Sequence, residues 1–140
     1  MVTMPEELIG MIKEWHTVPV ATAGLDGMPN IAPKSVMVRD PETIVWGELY
    51  RMQTYENLLN NPVASISVWK KTPPFTAYKI QGTVEIHEHD GVADLMDNRV
   101  WAGHPKDFGI RTGHMAAMIF TVVEIYDQTP RSESPGTQIP

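Results

Sequence analysis

The sequence contains no cysteine among its 140 residues. This absence excludes disulfide bonds, thiol catalysis, zinc sites built on thiolates and Cys-ligated iron–sulfur clusters. The sequence also lacks the dinucleotide-binding glycine fingerprint, the phosphate-binding Walker loop and the serine–histidine–aspartate order of hydrolases. Any chemistry must therefore come from histidines, carboxylates, hydroxyl groups or a bound cofactor.

Positive charge is scarce as well. Eleven Lys and Arg residues face seventeen Asp and Glu residues, which gives a net charge of −6. Binding to a nucleic-acid backbone depends on clustered cations, so we expect no nucleic-acid partner. No apolar run approaches the roughly eighteen residues of a membrane span, and no charged-then-apolar leader is recognisable, so we expect a soluble, cytoplasmic protein.

What the sequence has is a strand pattern. Asp26-Gly27 lies between two apolar runs, Val18–Ala23 and Asn30–Val38, which predicts a β-hairpin because primed turns need the positive φ that glycine adopts easily. Alternation of apolar and polar residues predicts two of the further strands and apolar runs predict the other two, and Gly82 indicates a bend or a close backbone approach. These further strands are Thr43–Gly47, Val63–Trp69, Tyr78–His87 and Met115–Tyr126.

Short helices accompany the strands. Thr3 and Glu6 have the spacing of a capping box, which predicts a first helix that ends near His16. Thr54 is the predicted N-cap of a second helix, which Pro62 stops. A third helix is predicted over Gly91–Ala102, followed by a polar loop over Gly103–Gly113.

These elements predict a mainly β fold with minor α content, a six-stranded antiparallel barrel with short flanking helices. Closure would remove the sheet edges that a small open sheet exposes. At 42% hydrophobic residues the composition is that of a single globular domain. We expect that domain to span residues 1–126 and the tail, residues 127–140, to be extended or disordered.

The start of the second helix is the best candidate for an anion site. Backbone N–H groups of a first turn lack intrahelical partners, and Arg51, Gln53 and Thr54 add side-chain donors there. Together they could hold a phosphate. The residues alone leave open the simpler interpretation, an ordinary capped helix with an exposed arginine.

A second candidate lies on the second strand. Pro33 cannot donate a ladder hydrogen bond and so marks a strand edge or irregularity, beside which Lys34 and Ser35 could meet a flat heterocycle. An exposed lysine on an edge strand is the alternative. His87 and His89 lack a third ligand at a diagnostic spacing, so no metal site is predicted.

A cationic loop and two tryptophans complete the candidates. His104, Lys106, Arg111 and His114 could cover an anionic ligand or form a solvated loop. Trp69 and Trp101 are the tryptophans expected to contact a ligand.

Taken in series, five segments resemble the pyridoxamine 5′-phosphate oxidase-like family of FMN-binding split barrels. The resemblance covers about Glu7 to Tyr126. It implies a six-stranded split barrel that forms a homodimer with two FMN sites at the interface. The segments that carry it are Val20–Pro29, Pro33–Met37, Ile44–Gly47, Gln53–Ser67 and Tyr78–Val84.

The resemblance also implies the residues that bind the cofactor. The second strand would lie along the flavin ring, with Lys34 or Ser35 at its pyrimidine side, and the end of the third strand with the following loop would hold the ribityl chain and phosphate. No catalytic side chain is predicted, because flavin N5 would be the reactive centre. The implied contacts are Pro33, Lys34, Ser35, Val36, Gly47, Glu48, Arg51, Met52, Gln53 and Thr54.

The sequence departs from the family pattern at the phosphate. Gln53-Thr54 stands where family members carry a basic pair, which leaves Arg51 as the nearest cation. Lys34, Arg111 or a cation of a partner chain could compensate. The cations that bind the substrate phosphate and the C-terminal Arg-Leu segment of the true oxidase are unmatched, so pyridoxamine phosphate oxidation is not the expected activity.

The expected function is therefore an FMN-dependent oxidoreductase that passes hydride or electrons through flavin N5 to an unidentified acceptor. Three alternatives share the fold: a deazaflavin-dependent reductase, a haem binder that uses His104 or His114, and a non-enzymatic FMN carrier or sensor.

Overall fold

The computed structural model describes residues 2–93, 115–130 and 136–140. The predicted third helix is described only over residues 91–93, which are helical. Its remainder and the Gly103–Gly113 loop lie outside the described residues, as do Trp101, His104, Lys106, Arg111 and His114.

The described residues form two complete helices and seven strands. All six predicted strands are present, with ends within two residues of their predicted positions, whereas the seventh strand was not predicted. The helices are α1 (Glu6–Trp15) and α2 (Gln53–Asn60). The strands are β1 (Thr17–Ala23), β2 (Pro29–Asp40), β3 (Thr43–Glu48), β4 (Val63–Trp69), β5 (Ala77–His87), β6 (Ala116–Asp127) and β7 (Thr137–Ile139).

The first six strands close into an antiparallel barrel, which confirms the predicted fold class. Strand order runs β3-β2-β1-β4-β5-β6, and β3 pairs with β6 to complete the circle. β6 pairs with β5 along one edge, while β3 and β7 share its other edge, β3 along 116–121 and β7 along 125–127. The short β7 therefore covers the part of β6 that extends past β3.

Successive side chains of a strand point to opposite faces, so every second side chain, usually an apolar one, points into the barrel. In β4, Ala64, Ile66 and Val68 are buried while the two serines between them are not. Trp46 and Phe120 are the largest fully buried side chains, with ring centroids 6.3 Å apart. α1 adds the buried side chains Leu8, Met11 and Ile12 to the same core and packs on β1, β2 and β4.

The predicted capping box at the start of α1 is wrong. Pro5 is the N-cap, and no side chain caps the helix. The preceding residue is used differently, since Met4 is buried and its N–H donates to the Pro41 carbonyl at 2.8 Å. The helix ends as predicted, with His16 in a left-handed conformation whose N–H bonds to Ile12 O.

Among the described residues, no helix has both the length and the apolar character needed to cross a membrane.

Gly82 has the close backbone approach that the sequence indicated. The register of β5 against β6 shifts between Gln81 and Gly82. A Cβ at residue 82 would lie 2.2 Å from the Thr121 carbonyl oxygen and 2.7 Å from Phe120 Cζ. Only glycine lets the two strands approach this closely above the central phenylalanine.

Gly82→Ala should therefore lower the free energy of unfolding by about 1–3 kcal/mol, the usual cost of overpacking, because a backbone carbonyl must move. Urea denaturation measures the change. Gly10→Ala is the matched control, since a Cβ there meets nothing within 4 Å in a helix and should be neutral or stabilising by up to about 1 kcal/mol. Equal stability of the two variants would contradict the packing argument.

Candidate functional site

β2 changes partner in its middle, next to the residues predicted to line a ligand. Residues 29–35 pair with β1, whereas Val36 to Asp40 pair with β3. Pro33 lies opposite Pro19 in the first part, so neither residue needs a ladder partner for an N–H. The irregularity predicted at Pro33 is thus a change of strand partner two to three residues beyond it, and it gives the barrel its split.

An ion pair lies at this split. Lys34 Nζ on β2 is 2.8 Å from Glu48 Oε1, at the end of β3. Trp46 Nε1 donates to the same Glu48 oxygen at 3.0 Å. The Glu48 residue is 4% exposed and the Lys34 side chain 18% exposed. The pair therefore fixes the lysine that was predicted to reach a bound heterocycle.

The loop after β3 carries the cation predicted to bind phosphate. Arg51 has φ 49°, a left-handed conformation that a non-glycine residue keeps only when its surroundings hold it. Its Nη1 donates to the Leu49 carbonyl at 3.2 Å, and its Nε donates to Glu88 Oε1 at 3.2 Å. Glu88 follows the last residue of β5, so this contact joins the loop to the far side of the site.

Tyr55 completes this group, which we call the Arg51–Tyr55–Glu88 cluster. The tyrosine hydroxyl donates to Glu88 Oε1 at 2.6 Å, and the Arg51 guanidinium carbon lies 5.5 Å from the tyrosine ring centroid. The hydrogen bond from Tyr55, followed by those from Arg51, lowers the pKa of Glu88. The same hydrogen bond raises the pKa of Tyr55. At neutral pH the arginine thus already faces a carboxylate anion.

Thr54 is not the N-cap of α2, contrary to the sequence prediction. Met52 is the N-cap residue, and no side chain caps the helix, so the first turn lacks the acceptor that a cap would supply. Thr54 lies within the first turn, 2% exposed, and its hydroxyl accepts a hydrogen bond from Asn30 Nδ2 at 3.2 Å. The threonine side chain therefore faces the barrel.

Amide side chains hold α2 against the barrel. Gln53 Nε2 donates to Asn57 Oδ1 at 2.7 Å, and Asn57 Nδ2 donates to Thr22 Oγ1 on β1 at 3.1 Å. Asn57 and Thr22 are both buried. Of the predicted phosphate ligands on α2, Thr54 therefore contacts the barrel through Asn30, whereas the exposed Gln53 bonds to Asn57 of its own helix.

The remaining predicted residues are distributed more widely. Val36 is buried and its N–H donates to the His16 carbonyl at 2.7 Å. Gly47 is engaged in the β3–β6 ladder opposite Ala117. Met52 is 72% exposed next to Arg51. Ser35 is exposed on β2, with its hydroxyl oxygen 3.4 Å from that of Thr17.

Trp69 lies away from this group within one chain. It pairs with Ala77 at the start of β5, whereas Glu88 follows the end of that strand. Its ring lies 6.0 Å from Lys71 Nζ, which also lies 4.9 Å from the Trp15 ring. The structure thus brings Lys34, Glu48, Arg51 and the start of α2 to one side of the barrel and leaves Trp69 at another.

Sequence reasoning missed Tyr55 and Glu88. Glu88 lies between His87 and His89, for which the sequence predicts no metal site, and His87 Nδ1 contacts Asp90 Oδ2 at 2.7 Å. No group of three His, Asp or Glu residues within the described ranges could hold a metal ion. Arg51 and Glu88 are 37 residues apart, so no local spacing could have linked them.

A shallow groove of about 460 Å³ lies on the outer surface of the barrel. It crosses β1, β4, β5 and β6, and its walls include the small residues Ala21 and Ala23 together with Val63 and Val123. Both valines are almost half exposed, at 46% and 47%. The groove is therefore a largely apolar patch on a solvent-exposed face of the sheet.

The closed barrel, the split between β2 and β3 and the uncapped α2 define a split-barrel protein. The chain belongs to the pyridoxamine 5′-phosphate oxidase family, whose model matches residues 4–128. No match to the chain was found among curated proteins.

Solved structures support the fold. HupZ of Group A Streptococcus is 22% identical, with a TM-score of 0.77 over 98% of this chain and 99% of that one. A putative pyridoxamine 5′-phosphate oxidase from Lactobacillus delbrueckii is 25% identical, with a TM-score of 0.71 over 89% and 93% of the two chains. An FMN-binding protein from Syntrophomonas wolfei is 17% identical, with a TM-score of 0.71 over 90% and 86%.

Neighbours of this fold differ in the ligand that their names state. Beside the FMN-binding protein stand an F420 reductase, with a TM-score of 0.69 and 19% identity, and the haem storage protein HutZ of Vibrio cholerae, with a TM-score of 0.64 and 16% identity. These likenesses establish the barrel, and the ligand must be argued from the residues of this chain.

The Lys34–Glu48 pair generates a stability prediction. Lys34→Met should lower the free energy of unfolding by about 2–3 kcal/mol, because it leaves the Glu48 carboxylate buried without its cation. The double variant Lys34→Met/Glu48→Gln should recover at least half of that loss, since the amide can still accept from Trp46. Chemical denaturation of the four chains of this cycle measures both effects.

Lys70→Met is the control, because Lys70 and Glu7 form an exposed pair 3.9 Å apart that should contribute less than about 1 kcal/mol. A double variant as unstable as Lys34→Met would show that the pair is not the source of the loss.

Proposed function

We propose that this chain is an FMN-binding flavoprotein that transfers hydride or electrons through flavin N5 to an acceptor. The observation that carries the proposal is the position of Arg51 beside the uncapped first turn of α2. Unpaired N–H groups and a guanidinium at one place are what a phosphate monoester needs. Family membership and the similarity to an FMN-binding protein support the same ligand.

The residues present fit the phosphate in one testable respect. Arg51 already binds an oxyanion, because the Glu88 carboxylate accepts from its Nε. A carboxylate and a phosphate present similar oxygen acceptors to a guanidinium. In the proposed complex an anion binds at Arg51, with the N–H groups of α2 as the additional donors.

The protein would supply binding and orientation, while FMN when bound supplies the redox chemistry. The edge of β2 from Pro33 to Ser35 has no β3 partner in its ladder and offers backbone groups to the heterocycle. Glu48 holds the Lys34 ammonium in place, so a positive group is fixed at this edge without rotating freely. The side chains of Thr54 and Asn57 keep α2 in position through Asn30 and Thr22.

A homodimer is part of the proposal. Its support is the apolar groove across β1, β4, β5 and β6, which a second copy would cover, and the position of Trp69 at the end of β4, opposite Ala77 and so at the other end of β5 from Glu88. Two sites at the interface would then each draw on both subunits. Sedimentation of the purified protein tests this part independently of any ligand.

The absorption spectrum of the purified protein distinguishes FMN from two other ligands that proteins of this fold could hold. A deazaflavin or a haem would show its own absorption spectrum, and both are raised by the neighbours named F420 reductase and haem storage protein. A haem site would use His104 or His114, which lie outside the described residues. Tight FMN binding without turnover of any electron donor would instead identify an FMN carrier or sensor.

Titration of FMN with the protein should quench flavin fluorescence. Arg51→Ala should weaken FMN binding about tenfold, because a charge-assisted hydrogen bond to phosphate is lost, and should leave riboflavin binding unchanged because riboflavin has no phosphate. Fluorescence titration of both ligands measures the two dissociation constants.

Arg39→Ala is the matched control, since Arg39 is an exposed arginine of β2 outside the site and its loss changes the net charge equally. If Arg51→Ala weakened FMN and riboflavin alike, the phosphate would lie elsewhere. Absence of any flavin binding by the wild-type chain would overturn the proposed function.

A further inference from the structure

The Arg51–Tyr55–Glu88 cluster contains a competitor for the ligand. We infer that Glu88 is a selectivity-determining residue: its carboxylate occupies Arg51 in the free protein and reduces the preference for a phosphate-bearing flavin over an unphosphorylated one. This inference rests on the proposed function. It adds Glu88 to that proposal, as the residue that the phosphate must displace from Arg51.

The geometry gives Glu88 this role. One carboxylate oxygen accepts both from Arg51 Nε at 3.2 Å and from the Tyr55 hydroxyl at 2.6 Å. The other hydrogen bond of Arg51 runs from Nη1 to the Leu49 carbonyl, within its own loop. The contact with Glu88 is therefore the one that engages the charge of the guanidinium, and a second anion must share or replace it.

Exchange of the two anions is feasible because the pair is partly solvated. The side chains of Arg51 and Glu88 are 28% and 34% exposed, and ion pairs of this kind are weak. When Arg51 turns to a phosphate, Glu88 keeps the shorter of its two hydrogen bonds, the one from Tyr55. The carboxylate is thus never left without a donor, which lowers the cost of the exchange.

No other lysine or arginine in the described part of the chain contacts Glu88, although His89, the next residue, also lowers the pKa of that carboxyl. Lys34 is held by Glu48 at 2.8 Å, and Lys13 and Arg39 belong to α1 and to the end of β2. Arg51 therefore serves Glu88 and the phosphate in turn. An unphosphorylated ligand does not need Arg51 and binds without disturbing the pair.

Glu88→Gln tests the competition directly. Glutamine keeps an oxygen for the Tyr55 hydroxyl but no longer carries the charge that holds Arg51. The variant should bind FMN about threefold to fivefold more tightly than the wild type, in line with the strength of a partly exposed ion pair, and riboflavin with unchanged affinity. Fluorescence titration with FMN and riboflavin gives the ratio of the two affinities.

Two further variants keep the test interpretable. Glu6→Gln removes the same charge from an exposed position in the first turn of α1 and should change the FMN to riboflavin ratio less than Glu88→Gln does. Glu88→Ala removes the acceptor entirely and should also raise the ratio, so the conclusion does not depend on one substitution.

The outcomes separate this inference from the proposed function. Unchanged or weakened FMN binding by both Glu88 variants, with the wild type still binding flavin, would overturn the competition and show that Glu88 positions Arg51 instead. An equal gain in Glu6→Gln would also overturn it, since general charge would then explain the effect. Flavin binding by neither the wild type nor any variant would overturn both proposals. FMN binding only after Glu88 is replaced would support the competition at Arg51 and contradict FMN binding by the wild-type chain.

Discussion

The pairing of β3 with β6 is the contact on which the barrel and its site depend. Six residues of β3, Thr43 to Glu48, lie opposite Thr121 to Ala116 and close the sheet on itself. Residues 116–120 of β6 are buried on both faces, because Met118 and Phe120 fill the barrel while Ala117 and Ile119 pack outside against Val45 and Ala93. A strand buried on both faces favours a continuous apolar run over alternation.

Closure at β3 also decides what the site contains. Because Gly47 and Glu48 stay paired with β6 but no longer pair with β2, the first half of β2 keeps one edge without β3, and Glu48 comes to lie next to Lys34. The chain then turns through the left-handed Arg51 into α2. The Lys34–Glu48 pair, the position of Arg51 and the uncapped start of α2 thus all follow from the point at which β3 separates from β2.

Local patterns predicted the strands well, and they failed where partners are distant in sequence. Alternation identified β4 and β5, and Gly82 was recognised because a glycine within a strand signals close approach. The two cap predictions, at Thr3 and Thr54, were wrong because residues of these segments make tertiary hydrogen bonds in place of capping ones. Met4 is anchored to Pro41, and the Thr54 hydroxyl is bonded to Asn30. Likewise the partners of Arg51 and Lys34 are carboxylates whose roles only the folded barrel reveals.

Those partners change what the net charge of −6 means. The two cations predicted to meet a cofactor each lie within hydrogen-bond distance of a carboxylate, Lys34 of buried Glu48 and Arg51 of half-buried Glu88. The buried pair is costly to separate, since either charge alone would be stranded in the barrel wall. The partly exposed pair of Arg51 and Glu88 costs less to separate, because the Tyr55 hydroxyl still donates to the released Glu88 carboxylate. On this argument Lys34 stays paired with Glu48, and we expect Arg51 to be the cation that exchanges its carboxylate for an incoming anion.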